Sequence, residues 1–353
     1  MKKTGMYIIL LSWVLISCRE MYYPDDVKSP ELIPVIQGRI LANQPPEVKL
    51  YWAVSFGDDQ VRVISDAEVY ILDDYGFTVQ LQLHDGIYTT GDMAGEVGVT
   101  YTLRVVLNDG REYVSIPQYL QVAPKIDSLY AVPGKRITYV YSAYNTPVYN
   151  EEQGLFIRSD LTSYESNTQY YKFHTFVVKL SSYQEAINTP GPYNVYIWET
   201  TGMDNSYAVD FSVDNNSKQV LCNHSVGFLR YYYDPSLRTE SKTAPFTSAW
   251  VVTQTIYSIS ADVYQFYNSV GRQLSANDQI FAPVASQVKS NIHCISDSGE
   301  KVIGKFEASS ATIIYKVFGW IDLNRYNSMD LDYYPEVGDG SVEKFPPDFW
   351  LYF

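Results

Sequence analysis

The sequence is poor in cysteine and histidine, with three Cys and four His in 353 residues. No Cys-x-x-Cys occurs, which excludes a zinc ribbon and a thioredoxin-like redox site. His84, His174, His224 and His293 are scattered, with no His-Glu-x-x-His and no partner four residues away, so a zinc-protease helix has no trace. Gly-x-Ser-x-Gly is also missing, and with it the nucleophile elbow of the α/β-hydrolases. Gly338-Asp339-Gly340 lacks the third glycine of a dinucleotide fingerprint and lies in a polar, proline-bounded tail, so it reads as a loop. Asp58-Asp59, Asp73-Asp74 and Asp330-Leu331-Asp332 do not have the spacing of an EF-hand and read as turn acids. No catalytic residue, metal ligand or cofactor is therefore assigned, and a non-enzymatic role is expected.

Positive charge is short as well. There are 26 Lys and Arg against 40 Asp and Glu, a formal charge of −14. Such a surface repels nucleic acid and anionic lipid headgroups, so neither is an expected partner. Nowhere does the chain approach the ~18 uninterrupted apolar residues that a membrane helix needs.

What the N-terminus does contain is a short export signal. Lys2 and Lys3 precede the apolar stretch Met6 to Ile16, which is too short to span a bilayer. Leu15-Ile16-Ser17-Cys18 then follows the pattern of a lipobox: a leucine three places before a cysteine, a small residue at the cleavage point, and a thiol to carry diacylglycerol. This predicts a bacterial lipoprotein with residues 1–17 removed and Cys18 lipidated. Acyl chains bury methylenes at about 0.8 kcal/mol each, and more than one chain makes anchoring stable. The bilayer is thus an expected partner through the anchor alone.

Residues 19–32 mix charge, proline and tyrosine without periodicity and read, with Cys18, as a tether. From Ile33 onward short alternating runs take over, among them Val35–Ile40, Val48–Trp52, Ala67–Leu72, Phe77–Leu83 and Tyr101–Leu107. Asp73-Asp74-Tyr75-Gly76, Asp85-Gly86 and Asn108-Asp109-Gly110 punctuate them. That spacing predicts a β-sandwich over 33–123, of immunoglobulin- or transthyretin-like topology. Residues 124–353 form a second β-rich domain carrying one or two short helices, with its clearest strands at Ile137–Tyr141, Tyr170–Val178 and Tyr193–Trp198. Ser182 and Glu185 form a capping-box pair ahead of a short helix that Pro190 would stop. Ser260 caps a longer helix in which Val263, Phe266, Tyr267 and Val270 share a face, with Gly271 as its end. Ile292–Ser296 and Val302–Phe306, flanking Asp297-Ser298-Gly299-Glu300, read as a hairpin. The fold class is mainly β.

Cys222 and Cys294 remain once Cys18 is lipidated. An oxidising compartment permits a disulfide between them, and two separate small core residues fit equally. Tyrosine dominates the aromatics, 33 Tyr against 15 Phe, and suits both strands and surfaces that are half apolar and half wet. Tyr231, Tyr232 and Tyr233 cannot all point inward from one strand, because side chains alternate across a sheet. They form a candidate protein interface, with Tyr333, Tyr334 and Trp350 as a second group.

The C-terminal half resembles a known family. Gln254–Ser260, the aromatic helix after it and Pro283 look like the first part of its pattern. Ser290-Asn291-Ile292, Ser296, Glu300 and then Val302-Ile303-Gly304-Lys305-Phe306-Glu307-Ala308-Ser309 resemble its core motif, Asn-Ile followed by Val-Leu-Gly-Tyr-Phe-x-Ala-Ser. Pro346-Pro347-Asp348-Phe349-Trp350 is similar to its closing Lys-Pro-Asp-Phe-Trp, and Pro124–Tyr130 to its inter-domain junction. The family is domain-of-unknown-function family 4249 of Bacteroidetes lipoproteins. Ile197-Trp198 departs from the family's frequent Cys-Trp pair. The resemblance implies work at the outer membrane beside a TonB-dependent receptor, which becomes the expected protein partner, and it supplies no catalytic residues.

Overall fold

The computed structural model describes residues 33–54, 61–141, 147–163, 169–185, 193–215, 218–230, 246–276, 288–319 and 342–343. The first strands are β1 (Pro34–Leu41), β2 (Glu47–Trp52), β3 (Arg62–Val63), β4 (Glu68–Asp73), β5 (Thr78–His84), β6 (Ile87–Thr89), β7 (Thr100–Val106), β8 (Glu112–Ser115) and β9 (Gln118–Tyr119). Longer ones follow: β10 (Lys125–Tyr141), β11 (Pro147–Ser163), β12 (Tyr170–Glu185), β13 (Tyr193–Phe211), β14 (Val213–Asn215), β15 (Lys218–Arg230) and β16 (Phe246–Ile259). After them come helix α1 (Ala261–Ala276), β17 (Ile292–Cys294), β18 (Ile303–Gly319) and β19 (Val342–Glu343). The chain is mainly β, as its patterning predicts.

Local chemistry explains where strands turn. Asp73 accepts hydrogen bonds from the backbone N–H groups of Tyr75 and Phe77, and Gly76 supplies the positive φ that closes the turn. Asp85 and Gly86 both have positive φ, the conformation that a two-residue hairpin between β5 and β6 requires.

The first core is enclosed by two groups of strands. Strands β4, β7 and β8 contribute Val69, Ile71, Leu103, Val105 and Tyr113, while β1 and β2 contribute Ile36, Ile40, Val48 and Leu50. Strand β5 belongs to both groups: Thr78–Leu81 pairs with β4, and Gln82–His84 pairs with β6. The same core takes in Ile292, Cys294, Phe306 and Ala308 from far along the chain. Strand β10 begins at Lys125, and β17 and β18 from beyond it complete the core of the strands that precede it.

That completion has a definite mechanism. Ile303–Ser309 of β18 pairs with β1 in parallel, and Ser310–Gly319 of the same strand pairs with β16 antiparallel. One strand therefore leaves one ladder and enters the next at the Ser309–Ser310 step. Three hydroxyls pin the crossing segment: Ser258 donates to the Val122 carbonyl at 2.7 Å, Ser310 to that of Gln121 at 2.5 Å, and Thr312 to that of Pro124 at 2.7 Å. Beyond the step, β16, β12 and β13 face β10, β11 and β15 across a second core that includes Leu129, Ile157, Val177, Met203, Val252 and Phe318.

Three local expectations are corrected. Residues 182–185 continue β12 instead of starting a helix, because Ser182 is held between Tyr196 and Phe246 on the two flanking strands. Strand β17 pairs with β8 and not with β18, so the segments around Asp297–Glu300 do not form a hairpin ladder. The side chain of Asn291 makes the link instead: its Oδ1 accepts from Phe306 N–H at 2.9 Å and its Nδ2 donates to Phe306 C=O at 2.8 Å. Helix α1 starts as expected, with the Ser260 hydroxyl accepting from Val263 N–H at 3.3 Å, but runs through Gly271 to Ala276.

Gly304 opens the parallel pairing at φ +123°, and a Cβ there would lie 1.9 Å from the Ile36 carbonyl oxygen. Gly304→Ala should accordingly lower the unfolding free energy by about 2–3 kcal/mol in denaturant titrations. Gly271→Ala, where an added Cβ meets nothing within 4 Å, should be neutral or stabilising by up to about 1 kcal/mol.

Candidate functional site

Polar residues alternate with apolar ones along β18. Phe306 and Ala308 enter the first core, which turns Lys305, Glu307 and Ser309 to the opposite face. That face is covered by α1, and the next strands of the sheet, β16 and β12, bring Tyr257 and Lys172 to it as register partners. The result is a polar cluster centred on Glu307, whose side chain is 1% exposed.

Glu307 has a full set of donors. Lys172 and Ser309 reach Oε1, the latter at 3.3 Å, while Lys305 and the Tyr267 hydroxyl reach Oε2, the latter at 3.2 Å. A carboxylate offers about four lone-pair sites, so every one of them is used. Burial alone would push the Glu307 carboxyl up, but the Lys305 and Lys172 ammoniums hold it well below the usual carboxylate range. Burial lowers Lys172 from the ordinary lysine value even though Glu307 opposes the shift. The Tyr267 phenol is raised by burial and then by the neighbouring carboxylate, so it remains a neutral donor. Aromatic faces line the cluster: Lys172 Nζ sits 4.3 Å from the Tyr257 ring centroid and 5.2 Å from that of Tyr267, and Lys305 Nζ lies 4.9 Å from Tyr267.

Lys305 and Tyr267 of the cluster also line a cleft of about 290 Å³, together with Arg39, Glu47 and Lys49 from β1 and β2 and Phe266 from α1. Glu47 holds Arg39 through two bonds to one oxygen, at 2.7 and 3.0 Å. The arrangement is a positively charged recess with an aromatic side, suited to holding an anion.

A second polar group lies on β13 and β15. His224 Nδ1 is 3.1 Å from Asp210 Oδ2, and the imidazole stacks on Phe173 with centroids 3.9 Å apart. Burial would raise Asp210, and the His224 contact brings it below the ordinary aspartate value. His174 and His293 are separate from this pair, and among the described residues no group of three or more His, Cys, Asp or Glu could hold a metal.

Cys222 and Cys294 are both free, which corrects the disulfide alternative. Cys294 is buried in the first core with its sulfur 3.2 Å from the Ser296 hydroxyl, whereas Cys222 is exposed on β15 of the other sheet. Different elements and different environments keep them apart. Cys18 and both proposed interface groups, Tyr231, Tyr232 and Tyr233 with Tyr333, Tyr334 and Trp350, lie outside the described residues.

Family comparison matches residues 21–313 to a domain of unknown function, DUF4249. The chain belongs to that family. No curated protein matches it. The motif segments that carried the resemblance now have physical roles: Asn291 and Gly304 position β18 against β1, and Phe306 and Ala308 fill the core. Lys305 stands where the family pattern has Tyr, and Glu307 at its variable position, so motif reading alone passes over the ion cluster. The signal that could have found it is the period of two in Lys305, Glu307 and Ser309 within an otherwise apolar run.

Glu307→Gln leaves two nearly buried ammoniums without a counter-charge and should cost about 3–5 kcal/mol of stability. Because the carboxyl is held below its ordinary value of 4.5, its stabilising contribution is complete above that pH and is lost as the pH falls beneath it. Unfolding free energies measured between pH 7 and pH 3 should drop for the wild type and fall less steeply for Glu307→Gln.

Proposed function

We propose that this chain is a non-catalytic outer-membrane lipoprotein, anchored through Cys18, that serves as an accessory or binding subunit of a TonB-dependent transporter. The observation that carries the reading is a two-stranded ribbon with tyrosines on one face. Among the described residues β15 pairs with β11 as far as Gly154, opposite Arg230, and β10 and β11 stay paired from Lys135–Gln153 to Tyr141–Pro147. At ~3.3 Å per residue the two-stranded extension is roughly 20 Å long.

Its composition favours contact with another protein. Ile137, Tyr139 and Tyr149 share one face; Tyr139 is 64% and Tyr149 71% exposed, and their ring centroids are 5.0 Å apart. Isolated two-stranded ribbons are marginal in water. This one is braced by Lys135–Glu151 at 2.6 Å and by Glu152, which accepts from Arg136 at 2.8 Å and from Arg230 at 3.0 Å. Exposed tyrosines fixed in place bury large area at low conformational cost when a partner covers them. The same chemistry motivates the tyrosine groups of the sequence, and the ribbon adds an open edge on β10, which has no partner on its outer side among the described residues. Family resemblance supplies the identity of the partner.

Two experiments test the reading. Replacing Cys18 with Ala should move the protein from the membrane fraction to the soluble fraction; retention at the wild-type level overturns the anchor. Mild-detergent purification from native membranes should recover a TonB-dependent receptor with the wild type, and at least ~10-fold less of it with Tyr139→Ser/Tyr149→Ser. That double variant should keep the wild-type Tm, since both rings are exposed. Recovery of the lipoprotein without a receptor, under conditions that preserve other envelope complexes, rejects the proposal.

A further inference from the structure

The polar cluster has a charge imbalance. Lys172 and Lys305 have side chains only 16% and 13% exposed, and both ammoniums share the single carboxylate of Glu307. Removing a charge from water is costly unless a counter-charge accompanies it. One positive charge in this recess is therefore left without a carboxylate among the described residues, and the tyrosine faces compensate for it only in part.

The surroundings add to the imbalance. Arg39 is matched by Glu47, whereas Lys49 at the mouth has no carboxylate partner among the described residues. An ammonium has three N–H donors, and Glu307 takes one from Lys305 on the cleft wall, so that group has donors to spare. The cleft of about 290 Å³ is large enough for a small organic molecule, and Phe266 offers an apolar ring beside the charges. Two carboxylates, Glu47 on the cleft wall and Glu307 bonded to the wall residue Lys305, repel a dianion more than a monoanion.

We infer that this cleft is a binding site for a small organic monocarboxylate, whose carboxylate is bound by Lys305 with Lys49 and whose apolar body rests on Phe266. The site is separate from the ribbon, so either reading stands or falls without the other. Bound carboxylate supplies the counter-charge that the second of the two buried ammoniums lacks.

The test uses the full mature chain in a detergent with a neutral headgroup, at low ionic strength so that salt does not screen the interaction. Benzoate serves as the probe, benzamide as its neutral analogue and inorganic phosphate as the competing anion. Benzoate should raise Tm saturably by about 2–4 °C, with no rise from benzamide. Lys305→Met should abolish the rise in a protein with an unchanged circular dichroism spectrum, and Lys305→Gln gives the same reading should the methionine variant not fold. No rise with benzoate, an equal rise with benzamide, a rise with phosphate alone, or a rise that persists in a folded Lys305 variant would each overturn the inference.

Discussion

The bonding of Glu307 is the interaction on which the joint between the two halves depends. Its carboxylate accepts from β12 through Lys172, from α1 through Tyr267, and from its own strand through Lys305 and Ser309. A carboxylate this deep is tolerable only because its lone pairs are all engaged and two cations offset its charge. Each partner is held by a different element, so those elements must arrive together. The helix gains its place from this as much as from apolar contact. Tyr267 lays a ring over both ammoniums and aims its hydroxyl at the carboxylate.

Strand β18 makes that convergence possible. Its first part extends the N-terminal ladder and its second part extends another, so the polar face of Lys305, Glu307 and Ser309 falls at the point where the two meet. Gly304 lets the chain come against β1 at a φ that a side chain would not allow, and Asn291 replaces the missing hairpin ladder with two side-chain bonds to Phe306. Ser258, Ser310 and Thr312 then tie the 121–124 crossing to the later strands. A row of hydroxyls thereby satisfies backbone carbonyls of a segment that belongs to no strand.

Legibility follows the range of the interactions. Short strands with Asp and Gly turns are set by period-two patterning and local turn chemistry, and Val35–Ile40, Ala67–Leu72, Tyr101–Leu107 and Tyr170–Val178 were readable for that reason. The start of α1 was readable from the Ser260 hydroxyl, whereas its end was not, since Gly271 stands in open space and the helix continues through it to Ala276. The apparent capping box at Ser182 was overruled by strand partners on both sides. Least legible was the ion cluster, for Lys172 and Glu307 are 135 residues apart and only β18's change of ladder brings them together.

These same features bear on specificity more than on stability. A purely apolar face on β18 would be simpler to bury, but it would pack against any apolar neighbour in several registers. Sheet register is specified where the wrong alignment is costly, and a one-residue slip of β18 would place Glu307 in the first core and Phe306 among the ammoniums. An intact Glu307 cluster therefore discriminates against misaligned joining of the halves. The site that results is electrically incomplete on its solvent side, where Lys305 and Lys49 face the cleft of a chain whose formal charge is −14. In such a chain the local sign is opposite to the average, and it follows from the geometry of the joint: Lys305, which helps to stabilise the buried carboxylate, is also presented to the cleft.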